Sequence, residues 1–380
     1  MKIVDVVTQT FHYTSDIVRD SEGHSHPGPA HDAKQTLLRI VSDSGVEGYA
    51  FGAEAQAIQQ QVKPALLGAD PFYRERLWQM LRERQRLYPA LLDRVLSAVD
   101  CALWDLAGRA LNVPVYQLLG GYRDQVKAYA STMCGDDLRD GLDAPESYAR
   151  FALQCKARGY QAFKLHTWQP PMPGAPDVRR DIAACAAVRE AVGPDIVLMI
   201  DPFHYYSRSE ALQLGRALER LDFYWMEEPM DEHSISSYVW LTEQLSSLLI
   251  VGPETAEGKF HTRAEWIVRG AADASRGGVG DVGGISPLMK VAHLAEAHGV
   301  AMEVHGGGAA NLHALCAMGI PGEYYERGLL HPFIDYEQPA PWLRAIDDPL
   351  DGEGYVHVSQ KPGLGQDINF DYVQANLVQS

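Results

Sequence analysis

Positive charge is scarce in this chain. Its 33 Lys and Arg face 50 Asp and Glu, a formal net charge of -17 at pH 7. Such a surface repels nucleic-acid phosphates and anionic membranes, so neither is expected as a partner. Paired cysteines are lacking too. The five, Cys101, Cys134, Cys155, Cys185 and Cys316, are scattered, odd in number and form no CxxC motif. Reduced, buried thiols in a cytoplasmic protein are the expectation. No apolar run approaches a membrane span, and the opening MKIVDVVTQTF alternates like a strand rather than reading as a secretory signal. Nucleotide-binding spacing is missing as well. GGVGDVGG (277–284) is rich in glycine but holds neither GxGxxG nor the Walker pattern, so it reads as a turn.

What is present suits a barrel with an accessory domain. The chain has 380 residues, 46% of them hydrophobic and 22% charged, enough for a sizeable core. Residues 1–125 read as an α+β unit. Strand-like stretches at Lys2–Phe11 and Thr36–Val41 flank an expected loop, GHSHPGPAHD, and GVEGYAFG follows as a hairpin piece. From Val126 to about residue 340, short apolar runs alternate with amphipathic helical segments. The runs are VKAYAS, AFKLH, IVLMID, FYWMEE, LLIVGPE and VAMEVH. That repetition predicts a (β/α) barrel, although an open doubly wound sheet gives a similar string. The polar residues discriminate. Lys164, Asp201, Glu227, Glu254 and His305 all fall at the C-terminal ends of predicted strands, where a barrel builds its active site. Residues 341–380 are rich in Pro, Gly and Asp and are expected to pack back on the N-terminal unit.

Asp201, Glu227 and Glu254 end three consecutive predicted strands, about one strand–helix unit apart. Any one alone would be an ordinary polar strand terminus. Three in succession predict a Mg²⁺ site, because Mg²⁺ takes hard oxygen ligands and keeps positions open for water or substrate.

Longer motifs carry a family resemblance. SAVDCALWDLAGRALNVPVYQLLGG (97–121), WMEEP (225–229), VGPE (251–254) and VGGISPLMKVAHLAEAHGVAMEVH (282–305) together resemble the mandelate racemase and muconate lactonizing enzyme family of the enolase superfamily. LWDLAGR by itself could be any amphipathic helix. The resemblance implies a modified TIM barrel, (β/α)7β, with an N-terminal capping domain. It also implies Mg²⁺, with the first Glu of WMEEP as a ligand, and removal of the proton α to a substrate carboxylate. Such relatives often form homo-oligomers. The chemistry is coherent, since an enediolate needs nearby positive charge and the α-carbon needs a base.

Acid and base candidates follow. Lys164 and His166 form a KxH motif whose alternate residues point the same way. By resemblance Lys164 contacts the substrate carboxylate and His166 is a base. His305, in EVHGGG, matches a family acid/base position. Relatives orient that His with an Asp at the place held here by Gly278. Asp273 and Asp281 are near but out of register, so His305 is expected to lack a carboxylate partner and to act as a general acid. Glu326 aligns with a carboxyl that assists the substrate carboxylate; an exposed Glu beside Arg327 is the alternative. His204 either touches substrate or is a plain loop residue. His24, His26 and His31 lie in the segment that relatives fold over the site; His24 and His26 are taken as substrate contacts.

The expected substrate is a small carboxylate, in particular a sugar acid dehydrated to a 2-keto-3-deoxy acid. Racemisation or epimerisation of an α-substituted carboxylate is the alternative. Lactone-forming chemistry and a non-catalytic metal-binding barrel rank below it.

Overall fold

The computed structural model describes residues 1–319 and 322–379. The N-terminal unit is a three-stranded antiparallel sheet, β1 (Ile3–Arg19), β2 (Ser25–Ser42) and β3 (Glu47–Phe51). Its apolar face, Ile3, Val6, Leu38 and Ile40, joins a core with Trp78 of α1 (Arg74–Gln85) and Leu96 and Leu106 of α2 (Asp93–Leu111). The first two strands outrun the alternating pattern. GHSHPGPAHD, expected as a loop, is largely strand, with His26 opposite Val18 and Pro27 opposite Ile17. Backbone pairing holds this polar ribbon, so no burial period marked it. The turn that closes it rests on Asp20, whose carboxylate accepts the backbone N–H of Glu22 and His24.

The apolar runs become parallel strands: β4 (Gln125–Thr132), β5 (Ala162–His166), β6 (Val197–Asp201), β7 (Trp225–Glu227), β8 (Leu249–Val251), β9 (Ala274–Gly277), β10 (Ala301–Val304) and β11 (Tyr324–Leu330). They are ordered β10-β9-β8-β7-β6-β5-β4-β11. The two ends of that order meet inside: Ala301 of β10 and Tyr324 of β11 pack with Tyr129, Met199, Trp225 and Val251 in one interior cluster. The sheet therefore curls into a barrel with a filled core. Helices α3 (Pro145–Ala157), α4 (Val178–Val192), α5 (Arg208–Arg220), α6 (Ile235–Gln244), α7 (Phe260–Arg269), α8 (Ile285–His298) and α9 (Ala309–Ala317) follow successive strands. Strand β9, ASRG, has no apolar run, and its Arg276 takes a fully buried place.

The SAVDCALWDLAGR stretch lies on α2, and its polar residues join the two units. Asp100 accepts the backbone N–H of Ser286 at 2.8 Å and the Ser286 hydroxyl at 2.7 Å. Trp104 donates to Ser286 Oγ at 2.9 Å. Asp100 thus places a carboxylate at the N-terminus of α8, where the helix dipole favours it. Gly284, just ahead of that helix, has φ +132°, and a Cβ there would lie 2.5 Å from Asp100 Oδ2. Only glycine fits both the angle and the approach.

The last forty residues touch both units. β12 (Tyr355–His357) pairs antiparallel with the start of β4. The short helix α10 (Phe370–Ala375) leads to Leu377, which bridges Phe11 of β1. No helix among the described residues is long and apolar enough to cross a membrane. All five cysteines are free and buried.

Candidate active site

The C-terminal ends of the barrel strands converge on one charged centre. Lys164 and His166 leave β5 on the same side and are both buried. Lys164 Nζ sits 2.9 Å from Glu227 Oε2, 2.9 Å from Glu326 Oε1 and 3.6 Å from Asp201 Oδ2. Burial works against its charge, but Glu227 and Glu326 hold its pKa well above the ordinary lysine value. His166 Nε2 lies 3.0 Å from Asp201 Oδ2, and its Nδ1 is buried with no partner among the described residues. His166 is thus a strand residue inside the centre.

One oxygen each from Asp201, Glu228 and Glu254 lie within 4.8 Å of one another. Glu227, the residue singled out from sequence, also borders this space. It accepts from Lys164 and from Arg276 Nε, the latter at 2.5 Å. Glu228 arrives by a non-glycine φ of +27° immediately after β7, a strained turn that brings two successive carboxylates into the centre. The ionisation directions report the crowding. Burial would raise Asp201, but His166 and Lys164 hold it low. Burial would raise Glu227, but Arg276 and Lys164 hold it low. Burial and then the charges of Glu254 and Asp201 push Glu228 well above the usual range. Burial also drives Glu254 well upward, with Glu227 adding to it against the pull of His305. Five buried carboxylates, counting Glu326, meet two permanent cations, Lys164 and Arg276, and His305. A divalent cation held by hard oxygens fits this donor set and its surplus of negative charge.

His305 corrects a sequence expectation. Its Nδ1 lies 2.8 Å from Asp281 Oδ2, so it is not without a carboxylate. Asp281 is out of register with the family position, yet the single turn Val279–Val282 folds it back, and Gly278 N–H donates to the same Asp281 oxygen at 2.6 Å. Gly278 cannot carry the carboxylate itself, since a Cβ there would lie 2.2 Å from His305 O. Burial opposes the charge on His305, but Asp281 and Glu254 raise its pKa to about 10. At neutral pH this imidazole holds its proton.

Glu326 is buried, not the exposed alternative. Its oxygens accept from Ser131 Oγ at 2.8 Å and the Gly306 N–H at 2.7 Å. His24 stacks on Phe203 at 4.5 Å, and Phe203 stacks on His166 at 5.3 Å. His24 and His26 share Asp20 Oδ2, each at 3.1 Å. His24 is therefore placed beside the mouth. His204 is exposed and lies against Tyr205, and His31 is exposed on the ribbon.

Sequence reasoning missed Arg276, Glu228 and Glu232, and set Asp281 aside as out of register. Glu232 accepts the backbone N–H of Glu254, Thr255 and Ala256 and so fixes the loop that delivers Glu254. Arg263 holds the other side of that loop through the Glu254 carbonyl. The available signals were an arginine inside a strand pattern, ASRG, and the second Glu of WMEEP.

Comparison with known proteins agrees with this architecture. Residues 147–372 match the enolase C-terminal domain-like family, and residues 24–120 match the mandelate racemase / muconate lactonizing enzyme N-terminal domain. The chain belongs to this family of enolase-like barrel proteins. It is similar to D-glucarate dehydratase from Agrobacterium tumefaciens, solved in complex with magnesium, with a TM-score of 0.97 and 54% identity over 100% of both chains. It is 30% identical to D-galactarolactone cycloisomerase of Agrobacterium fabrum, covering 98% of this chain and 97% of that protein. It is also 30% identical to arabinonate dehydratase of Saccharolobus solfataricus, covering 89% of each.

Proposed function

We propose that this protein is a Mg²⁺-dependent dehydratase of sugar acids, giving 2-keto-3-deoxy acids. The observation that carries the reading is the unlike pair of imidazoles. His305 is held protonated by Asp281, while His166 has an unpartnered ring nitrogen. Elimination needs one acid and one base; racemisation needs two interchangeable bases. The names of the dehydratase relatives support the same class.

Asp201, Glu228 and Glu254 would hold the metal, and Glu227, the ligand expected from sequence, borders it with its oxygens on Lys164 and Arg276. Bound Mg²⁺ supplies positive charge against the substrate carboxylate as its α-proton leaves. The residues do the rest. Lys164 presents a permanently charged ammonium to the same carboxylate, kept in place by Glu227 and Glu326. His166, with its Nε2 turned toward Asp201 in the centre, takes the α-proton. His305, fixed through Nδ1 by Asp281, hands a proton from Nε2 to the departing β-hydroxyl. His24, set against Phe203 beside His166, would contact the substrate's hydroxyl-bearing tail from the cap, with His26 held next to it by Asp20. The five free, buried cysteines support a reducing, cytoplasmic setting. A homo-oligomer is proposed from the resemblance alone.

The test is incubation with Mg²⁺ and a panel of sugar acids, scored for 2-keto acid and, in D₂O, for exchange of the α-proton. Keto acid from at least one substrate is the expected result. Exchange without keto acid would move the reading to racemisation, and neither product nor exchange would end it.

A further inference from the structure

Arg276 plays no part in the steps above, yet it touches most of the centre. It is fully buried. Its Nε donates to Glu227 Oε1 at 2.5 Å and reaches Glu254 Oε2 at 3.3 Å. Its Nη2 donates to Glu326 Oε2 at 2.8 Å and to Tyr129 OH at 3.2 Å. Its Nη1 donates to the Val304 carbonyl at 3.1 Å. These partners come from β7, the loop after β8, β11, β4 and β10. One planar group therefore spans the barrel beneath the mouth.

We infer that Arg276 is a positioning residue that locks the carboxylates of the metal seat to the segment bearing His305. At one end the guanidinium fixes Glu227 and Glu254. At the other it fixes both neighbours of His305. Val304, which precedes His305, accepts directly, and Gly306, which follows it, donates to the same Glu326 oxygen that Arg276 binds. Movement of the seat relative to His305 would break part of this fork. The arrangement needs arginine. A guanidinium presents five N–H donors in fixed directions, whereas a lysine ammonium is a point charge that cannot serve both ends at once. Mere neutralisation of buried carboxylates would not require the fork, because lysine keeps the charge. The inference rests on the metal reading above, so its test keeps the two separate.

The experiment is calorimetric titration of the full chain and of Arg276→Lys with MgCl₂, together with kcat on the substrate found for the wild type. Lysine at 276 should weaken Mg²⁺ affinity about 10–100-fold, the range seen when partners that orient metal ligands are removed. It should also lower kcat at saturating Mg²⁺, because His305 loses its register. Wild-type affinity and kcat in a folded Arg276→Lys would overturn the inference and leave the metal reading standing. Absence of saturable Mg²⁺ binding in the wild type would remove the metal reading and the inference with it. If the lysine variant does not fold, a crystal structure of the wild type with Mg²⁺ decides. Arg276 should still bridge Glu227 and Glu326; its release from either would overturn the inference.

Discussion

Glu326 and Arg327 are neighbours on β11, and they face opposite sides of the sheet into two charge networks. Arg327 faces outward. Its guanidinium donates to both oxygens of Glu337 at 2.8 and 2.9 Å, to Tyr160 OH at 2.6 Å and to the Asp348 carbonyl at 2.8 Å. Asp348 in turn accepts from Tyr325 and Tyr336. Donors and acceptors match there, and nothing is left for a ligand to satisfy. Glu326 faces inward, where carboxylates outnumber cations and Glu228 and Glu254 are forced upward in pKa. A folded chain tolerates a satisfied buried network as structure. An unbalanced one costs stability and implies an absent counter-charge or a function. On the proposed reading the inward network is the site and the outward one is scaffold.

The largest expected effect falls on the inward network. Asp201→Asn should lower activity by at least about 10³-fold, the scale for losing stabilisation of developing negative charge. A variant retaining a tenth of the activity would blur the contrast between the two networks. The outward network should respond in the opposite sense. Arg327→Ala removes a fully buried guanidinium from Tyr160, the Asp348 carbonyl and the half-exposed Glu337, and should cost about 1–3 kcal/mol in denaturant unfolding, with Mg²⁺ binding of the folded fraction unchanged.

Asp281→Asn comes next. It should lower kcat about 10²-fold, a typical loss for impaired general-acid transfer. The sign on pH follows from the pairing. Asp281 raises His305 to about 10, so its removal brings the alkaline limb of kcat to lower pH. An unmoved limb would detach His305 from the acid role.

The smallest effect concerns Glu303, 2% exposed on the barrel interior, with one oxygen unpartnered. Burial raises its pKa from 4.5 to about 8. An acid raised in the folded state loses stability while the unfolded chain ionises and the folded chain does not. Stability should therefore fall as pH rises from 4.5 to 8 and then level off. Glu303→Gln should flatten that slope in melting curves taken across the window.

The same contrast shows what was legible in sequence. Lys164, His166, Asp201, Glu254 and His305 stood out because each follows an apolar run, and a strand's two-residue period fixes where its end points. The barrel was readable for the same reason. β9 was not, because Arg276 takes the place of an apolar residue and is stabilised by carboxylates from other strands, which are local to nothing in the chain. Asp281 was set aside because register counting assumes an extended backbone, while one helical turn shortens the path from Gly278. The GHSHPGPAHD ribbon was missed because its pairing is a backbone property that its polar side chains do not announce.

The central claim is that the surplus negative charge at the barrel mouth is a seat for a divalent cation. Calorimetric titration of the chelator-treated protein with MgCl₂ tests it most directly. One saturable site per chain, abolished in a double variant Asp201→Asn with Glu254→Gln and untouched in Glu337→Gln, is the predicted result. A wild-type chain that takes up no Mg²⁺, or a double variant that binds it as well as the wild type, would contradict the account.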